Sequence, residues 1–277
     1  MIPFIKFSDG KEFFYECLNT DVSHYPLMGK HHYHRFFEIY YFLNGDCKYF
    51  IDGHTYTLLP GDIIFIPENV IHRTMYTSTY ERKLLNFSLH FIPDSVAEKL
   101  DSMPYLYRNP GIVKKVNGIF DAIDKEYNEM DEHSEEMLVS LVKSLLVLLA
   151  RSENKAVQSV GNTEFVAETV KRISEEYQSE ITLNAVAESF SVSPEHLSRT
   201  FKKETGFGFS EYLTLVRLQK AEQFLEEGKL KTVSEIAYAC GFNDSNYFSD
   251  KFKKTHGMSP LKFRQKYKKA IEKNKNV

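Results

Sequence analysis

Tryptophan is absent from this chain, and cysteine and proline are scarce, with three and nine copies in 277 residues. Cys17, Cys47 and Cys240 are far apart, odd in number and form no Cys-x-x-Cys pair. That excludes a disulfide-stapled scaffold and a thiolate zinc site, and makes a reducing cytoplasm the expected compartment. Long hydrophobic runs are missing too. The most apolar window, Leu138–Ala150, has 13 residues and is interrupted by Lys143, too short to span a bilayer. The start, Met1 to Gly10, lacks a basic segment leading into an apolar stretch and a cleavage site, so no signal peptide is expected. Glycine, at 13 copies, is far too sparse for a collagen-like chain, and 42% hydrophobic content is too high for a disordered one. The length suits about two ordinary domains with buried cores.

What is present is unevenly spread. The net charge of −3 divides into 16 Lys+Arg against 22 Asp+Glu in residues 1–155, and 19 against 16 in residues 156–277. Eight of the ten histidines lie in the first of these segments. An acidic, histidine-rich, aromatic front half joined to a basic rear half suggests two jobs.

From Phe36 to Phe91 the pattern is that of short strands rich in Ile, Tyr and Phe: Phe36–Leu43, Lys48–Ile51, Thr55–Leu58, Ile63–Ile66 and Leu84–Phe91. Asn44-Gly45-Asp46, Asp52-Gly53 and Pro60-Gly61-Asp62 read as the turns between them, and Asp52-Gly53 as a hairpin. A sandwich or small barrel is expected. After Pro110 the period changes. Ile112–Met130 and Glu135–Arg151 carry apolar residues at helical spacing, and Leu138, Leu141, Val142, Leu145, Leu146 and Leu149 form a stripe. Those helices suit a cover for the barrel and equally a dimer interface. Residues 152–162 are small and polar, the best linker candidate.

From Thr163 onward helices are expected at 163–177, 182–189, 194–204, 208–227, 233–240, 245–254 and 260–268. Ser193-Pro194 and Ser259-Pro260 pair an N-cap with proline at the first helical position, Thr232-Val-Ser-Glu235 is a capping box, and Asp244 caps the next helix. Within this half, Leu197-Ser-Arg-Thr-Phe201-Lys-Lys-Glu-Thr-Gly206 matches Phe248-Ser-Asp-Lys-Phe252-Lys-Lys-Thr-His-Gly257 at an offset of 51. Each copy follows a short helix and a tight turn, so helix-turn-helix occurs twice. In each second helix the apolar pair, Leu197 and Phe201 or Phe248 and Phe252, faces inward. Glu195, His196, Arg199, Lys202 and Lys203 are then left outside in the first copy, and Ser245, Asn246, Ser249, Asp250, Lys253 and Lys254 in the second. Short polar groups at one end and lysines at the other suit a helix that reads base edges and grips phosphate. Residues 208–227 make a spacer of about 30 Å, close to the ~34 Å of one DNA turn.

These residues resemble the AraC/XylS family of bacterial transcription regulators over roughly Phe165–Tyr267. The likeness rests on the string Ile236-Ala-Tyr-Ala-Cys-Gly241-Phe-Asn-Asp-Ser-Asn-Tyr247-Phe-Ser-Asp-Lys-Phe252-Lys-Lys, on Gly257-Met-Ser-Pro260 and Arg264, and on Arg217-Leu-Gln-Lys-Ala221. The resemblance implies a DNA-binding unit with residues 194–203 and 244–254 as recognition helices. Asp250 stands where the family often has a basic residue, and Ser191 where it often has glycine in the first turn. His32-Tyr-His34-Arg-Phe-Phe-Glu38, Gly45, Pro60-Gly61-Asp62, Pro67 and His72 look like the cupin pattern, over roughly residues 30–91, and imply an N-terminal sensor barrel followed by dimerising helices.

The expected fold is therefore α+β: a cupin-like barrel over 1–111, a helical dimerisation segment over 112–151, a linker over 152–162, and over 163–277 an all-α domain. In the last, two helix-turn-helix motifs, about 182–203 and 233–254, are joined by a long helix. In an extended strand His32, His34 and Glu38 share one face, with His72 returning on a neighbour. Together with Arg35 and Tyr40 they are the candidate ligand-binding residues, and Tyr33, Phe36, Tyr49 and Tyr76 are further aromatic candidates. The set His32, His34, Glu38 and His72 also has the make-up of a divalent transition-metal site with open positions, although the family resemblance implies organic effectors and no metal or other cofactor. The function expected is a ligand-responsive regulator and activator, not an enzyme. Its partners would be promoter DNA, a small polar effector such as a sugar, a second copy of itself and RNA polymerase, with no membrane. The alternatives are a metal-dependent cupin enzyme fused to a DNA-binding unit, and a front half that only dimerises.

Overall fold

The computed structural model describes residues 5–7, 11–20, 33–152, 163–228 and 232–274. They fall into two compact units, the first ending at residue 152 and the second starting at 163. Among the described residues no helix is long and apolar enough to cross a membrane.

The first unit is built on one antiparallel sheet, with strands β1 (Ile5–Lys6), β2 (Glu12–Thr20), β3 (Phe37–Ile51), β4 (His54–Thr57), β5 (Ile63–Ile66), β6 (His72–Phe87) and β7 (Leu106–Tyr107). Its order is β1-β2-β6-β3-β5-β7, with β4 paired to β3. The Asp52-Gly53 hairpin forms as expected. Both residues have positive φ, 46° and 85°, the signature of the two-residue turn that matches strand twist.

Three strand expectations need correction. Strand β2 was not foreseen. The pieces Phe36–Leu43 and Lys48–Ile51 are one strand, and β6 starts twelve residues before Leu84. Asn44-Gly45-Asp46 is thus a bulge inside β3, with register shifts against β6 at Phe42/Asn44 and Gly45/Cys47. Gly45 is required there. Its φ is +105°, and a Cβ would stand 2.3 Å from the Thr79 carbonyl oxygen.

The bulge decides which side chains share a face. Before it Phe37, Ile39 and Tyr41 pack on the helix-covered side and Tyr40 and Phe42 on the other; after it Cys47, Tyr49 and Ile51 join Tyr40 and Phe42. One inserted residue has switched the parity. On β6 Leu85 and Phe87 face the helices, whereas Tyr80 and Leu84 belong to the opposite side.

After the short α1 (Asp94–Ala97), helices α2 (Pro110–Asn128) and α3 (Ser134–Arg151) cover the first face. Asn109 caps α2 by accepting from the Gly111 N–H, with Pro110 at the first position. Leu138, Val142, Leu145, Leu146 and Leu149 are buried against the sheet within one chain, so most of the stripe is core. Leu141 is only partly buried.

The second unit is helical: α4 (Glu164–Glu176), α5 (Leu183–Ser189), α6 (Pro194–Thr205), α7 (Phe209–Glu227), α8 (Val233–Ala239), α9 (Ser245–His256) and α10 (Pro260–Asn274). The foreseen caps form. Ser193 Oγ accepts from the His196 N–H, Asp244 Oδ1 from the Tyr247 N–H, and Thr232 and Glu235 exchange both bonds of a capping box. Residues Ile236, Ala237, Cys240, Phe248 and Phe252 bury one face of α8 and α9 against Leu218, Ala221 and Leu225 of α7.

Candidate nucleic-acid interface and effector site

Helices α6 and α9 each bury an i, i+4 apolar pair, Leu197/Phe201 and Phe248/Phe252, at 0% exposure, which turns the opposite face outward. Glu195, His196, Arg199, Lys202 and Lys203 are all exposed on α6, as are Asn246, Asp250, Lys253 and Lys254 on α9; Ser245 and Ser249 are half-buried. Two of these groups are partly committed already. The His196 ring lies 5.6 Å from that of Phe165, and Ser249 Oγ donates to the Ser245 carbonyl at 2.8 Å. Tyr247, unforeseen, is 50% exposed beside Asn246, with the Lys251 ammonium 5.1 Å from its ring centroid. Its signal was an aromatic left over once Phe248 and Phe252 had filled the inward positions.

Helix α7 holds these elements in place through Arg217, whose Nε donates to the Tyr177 carbonyl at 2.8 Å and Nη2 to that of Ser179 at 2.9 Å. The same guanidinium lies 5.9 Å from the Phe242 ring, beside the turn before α9. Burial lowers its pKa below the ordinary arginine value.

In the first unit three of the expected histidine and carboxylate groups meet; His32 lies outside the described residues. The route differs from the expected strand. In extended chain, residues four apart are separated by about 13 Å, yet His34 Nε2 is 3.2 Å from Glu38 Oε2. Strand β3 starts only at Phe37, and a bend at Arg35 and Phe36 folds His34 back, its Nδ1 donating to the Phe36 carbonyl at 2.9 Å. His72 opens β6 and brings its Nε2 to 3.9 Å from the same Oε2, while its Nδ1 donates to the Val70 carbonyl at 2.8 Å. Tyr49 donates its hydroxyl to the other oxygen, Oε1, at 2.7 Å. Burial raises the Glu38 carboxyl, but the His34 hydrogen bond, the charges of His72 and His34, and Tyr49 outweigh it and hold the pKa at about 2. Burial lowers His34, and the Glu38 hydrogen bond and charge more than reverse that.

Tyr40 and Tyr49 stack edge to face at 5.2 Å, and Tyr40 shares a 2.8 Å hydroxyl hydrogen bond with Tyr76. Beside them stands a residue that sequence reasoning missed. Arg82 is 0% exposed, donates from Nη2 to Glu16 Oε2 at 2.6 Å, and has its guanidinium carbon 5.7 Å from the Tyr40 ring. Burial lowers its pKa, but Tyr76, Glu16 and Tyr40 raise it above the ordinary value. The signal was parity: Arg82 alternates with Tyr80 and Leu84 on the inner side. Of the other candidates, Arg35 is half-buried beside Glu68, whose carboxyl burial pushes above its ordinary value although the charges of Arg35 and His34 pull it partly back; Tyr33 is buried and Phe36 half-buried. A groove of about 830 Å³ lies elsewhere, along Tyr56, Glu68, Val70, Met103, Tyr105 and Leu149, and none of the expected ligand residues is among its described lining.

A sheet domain whose apolar inner face carries a few buried polar groups and two outward-facing helix-turn-helix helices define a DNA-binding regulator with a ligand-binding domain. Known proteins bear this out. The AraC-like ligand binding domain family matches residues 17–145, and the Helix-turn-helix domain family residues 186–266. The uncharacterised HTH-type transcriptional regulator YijO of Escherichia coli is 31% identical over 229 residues, 79% of this chain and 78% of that protein. The HTH-type transcriptional activator RhaS of Klebsiella pneumoniae is 30% identical over 246 residues, 84% of this chain and 87% of that protein. Among solved structures, the C-terminal domain of AraT, a response regulator from Geobacillus stearothermophilus, is 36% identical, covering 38% of this chain and 87% of that one with a TM-score of 0.37. The chain belongs to the AraC family of transcription regulators.

Proposed function

We propose that this regulator is a ligand-responsive activator whose input is a small polar molecule of the sugar type, bound by the inner face of the sheet. One observation carries the reading: Arg82, Glu16, Tyr40 and Tyr76 assemble a guanidinium, a carboxylate and two hydroxyls on a face where Phe42, Tyr49 and Tyr80 lie among buried aliphatic side chains. Ring faces beside a few fixed polar groups are what a polyhydroxylated ligand requires. RhaS, an activator by name, supports the sign of regulation, and with it RNA polymerase as a partner. The half-buried Ile119, Leu141, Val147 and Leu148 line a groove of about 800 Å³ on α2 and α3, which supports a homodimer through those helices. Ligand occupancy would bias how the paired reading helices are presented to DNA.

Thermal unfolding of the full chain against pentoses, hexoses, deoxysugars and polyols tests this. A saturable rise in Tm with one compound, weakened in Tyr76→Phe, is expected. No shift with any of them, together with promoter output unchanged by the same compounds, would leave the front half without a sensing role.

A further inference from the structure

We propose that Glu222 and His256, a buried polar pair joining the spacer helix α7 to the end of α9, fix the register of α9 and thereby position it to read bases. Glu222 is 3% exposed and the His256 side chain 9%. His256 Nε2 shares a hydrogen bond with Glu222 Oε1, across 34 residues of sequence, and its Nδ1 donates to the Phe252 carbonyl at 2.9 Å. The imidazole lies nearly flat on the Phe252 ring, with centroids 3.9 Å apart, and meets the Phe263 ring edge to face at 5.4 Å. Its place and plane are therefore set from three helices, α7, α9 and α10.

The apolar contact around this pair has no such direction. Leu218, Ala221 and Leu225 share one core with Phe248, Phe252 and Phe263, and apolar burial depends on area, so it is indifferent to small slides or rotations of one helix on another. A hydrogen bond keeps its strength over only a few tenths of an ångström, and any arrangement that parts the pair leaves a carboxylate buried without its imidazole. Buried polar pairs add little net stability over apolar residues of similar volume, so selecting one arrangement among several is the role left for this one.

The first motif supplies a contrast. The position 51 residues before His256 is Thr205, whose hydroxyl is engaged locally, donating to the Phe201 carbonyl at 2.7 Å and accepting from the Phe207 N–H at 3.1 Å. In the second copy the same position reaches across to the spacer helix. That helix, about 30 Å long, sets the distance between the two reading helices, which must agree with the ~34 Å of one DNA turn. A slide of α9 along α7 would carry Asn246 and Asp250 away from base edges, where the tolerance is as narrow. The inference rests on α9 as a reading helix and is independent of the effector.

A duplex selected by the full-length wild type from a random pool, together with its single-base variants, tests this by fluorescence anisotropy. Glu222→Leu/His256→Phe replaces the pair by apolar groups, and its urea midpoint should match or exceed that of wild type. Affinity for random DNA should change by less than about twofold. Preference for the selected duplex over random DNA should fall by about tenfold, with base preferences flattened at the same positions as in Asn246→Ala. Glu222→Gln, whose amide can donate to Nε2 while Nδ1 keeps the Phe252 carbonyl, should hold the preference within about twofold of wild type. If the double variant does not fold, Glu222→Met, which removes the buried carboxylate alone, carries the same expectation for preference. A wild-type preference in the folded apolar variant, with Asn246→Ala altered, would overturn the positioning role and leave α9 a reading helix. No change in either would remove α9 from base reading and the proposal with it.

Discussion

The two helix-turn-helix copies look like one unit used twice, yet they differ where the chain turns. In the first, the Val192 N–H donates to the Ala187 carbonyl; in the second, Phe242 donates to Ala237. Those pairs correspond at an offset of 50, whereas the caps Ser193 and Asp244 and the helices they start correspond at 51. Asn243 is the added residue. The left-handed position of the turn is Ser191 in one copy, at φ 54°, and Gly241 in the other, at φ 82°. A Cβ on Gly241 would meet the Tyr177 carbonyl oxygen at 2.5 Å and that of Gln178 at 2.9 Å. The second turn is therefore seated on the end of α4 and admits no side chain. The first turn carries a serine, and a left-handed non-glycine residue costs about 1–2 kcal/mol. The same backbone shape is thus demanded by sterics in one copy and merely tolerated in the other.

That contrast can be broken most sharply at Gly241. Gly241→Ala should lower the stability of the helical unit by about 3 kcal/mol, combining left-handed strain with overpacking against backbone; a urea midpoint equal to wild type would show that the seat on α4 is loose. At the reading helices, Arg199→Ala should weaken a specific operator by about 2 kcal/mol while hardly affecting random DNA. Lys253→Ala should weaken both alike and reduce the salt slope by about 1. Titrations of both DNAs by fluorescence anisotropy decide, and equal losses on the two for Arg199→Ala would remove it from base reading. Ser191→Gly should raise the urea midpoint by the equivalent of about 0.5–1 kcal/mol, the reverse sign from Gly241→Ala. The smallest signal is chemical. Burial pushes the Cys240 thiol, in the second motif, up to about 12, against the pull of Arg217 and Lys220, and Cys47 also to about 12. At pH 8 both therefore stay protonated and shielded, so a thiol reagent should label one cysteine per folded chain, the exposed Cys17, and three after unfolding.

The helical unit was legible because its signals are local. Caps at Ser193, Thr232 and Asp244 and apolar pairs four apart depend on residues within one or two turns, and each forms where the sequence placed it. The sheet was less legible because its decisive features are contacts between distant segments. Strand β2 is defined by pairing with β6, from Phe13 opposite Phe87 to Thr20 opposite Tyr80, and Glu12–Thr20 has no clean alternation of its own. The Asn44-Gly45-Asp46 signal was real, but a glycine that allows a turn also allows a bulge, and only the approach of Thr79 distinguishes them. His34, Glu38 and His72 were named from spacing. The bend that joins the first two, and the Tyr49 hydroxyl that orients the carboxylate, came from neither spacing nor period.

The extra residue in β3 has a consequence for anyone aligning this chain with distant relatives. A one-position gap placed anywhere between Phe42 and Cys47 looks neutral in a score, yet it would exchange the environments of Cys47, Tyr49 and Ile51 with those of their neighbours. Tyr49 would then lose its place beside Glu38. Homologues whose strand differs in length at this point cannot be assumed to carry the same inner wall, however well the flanking residues match.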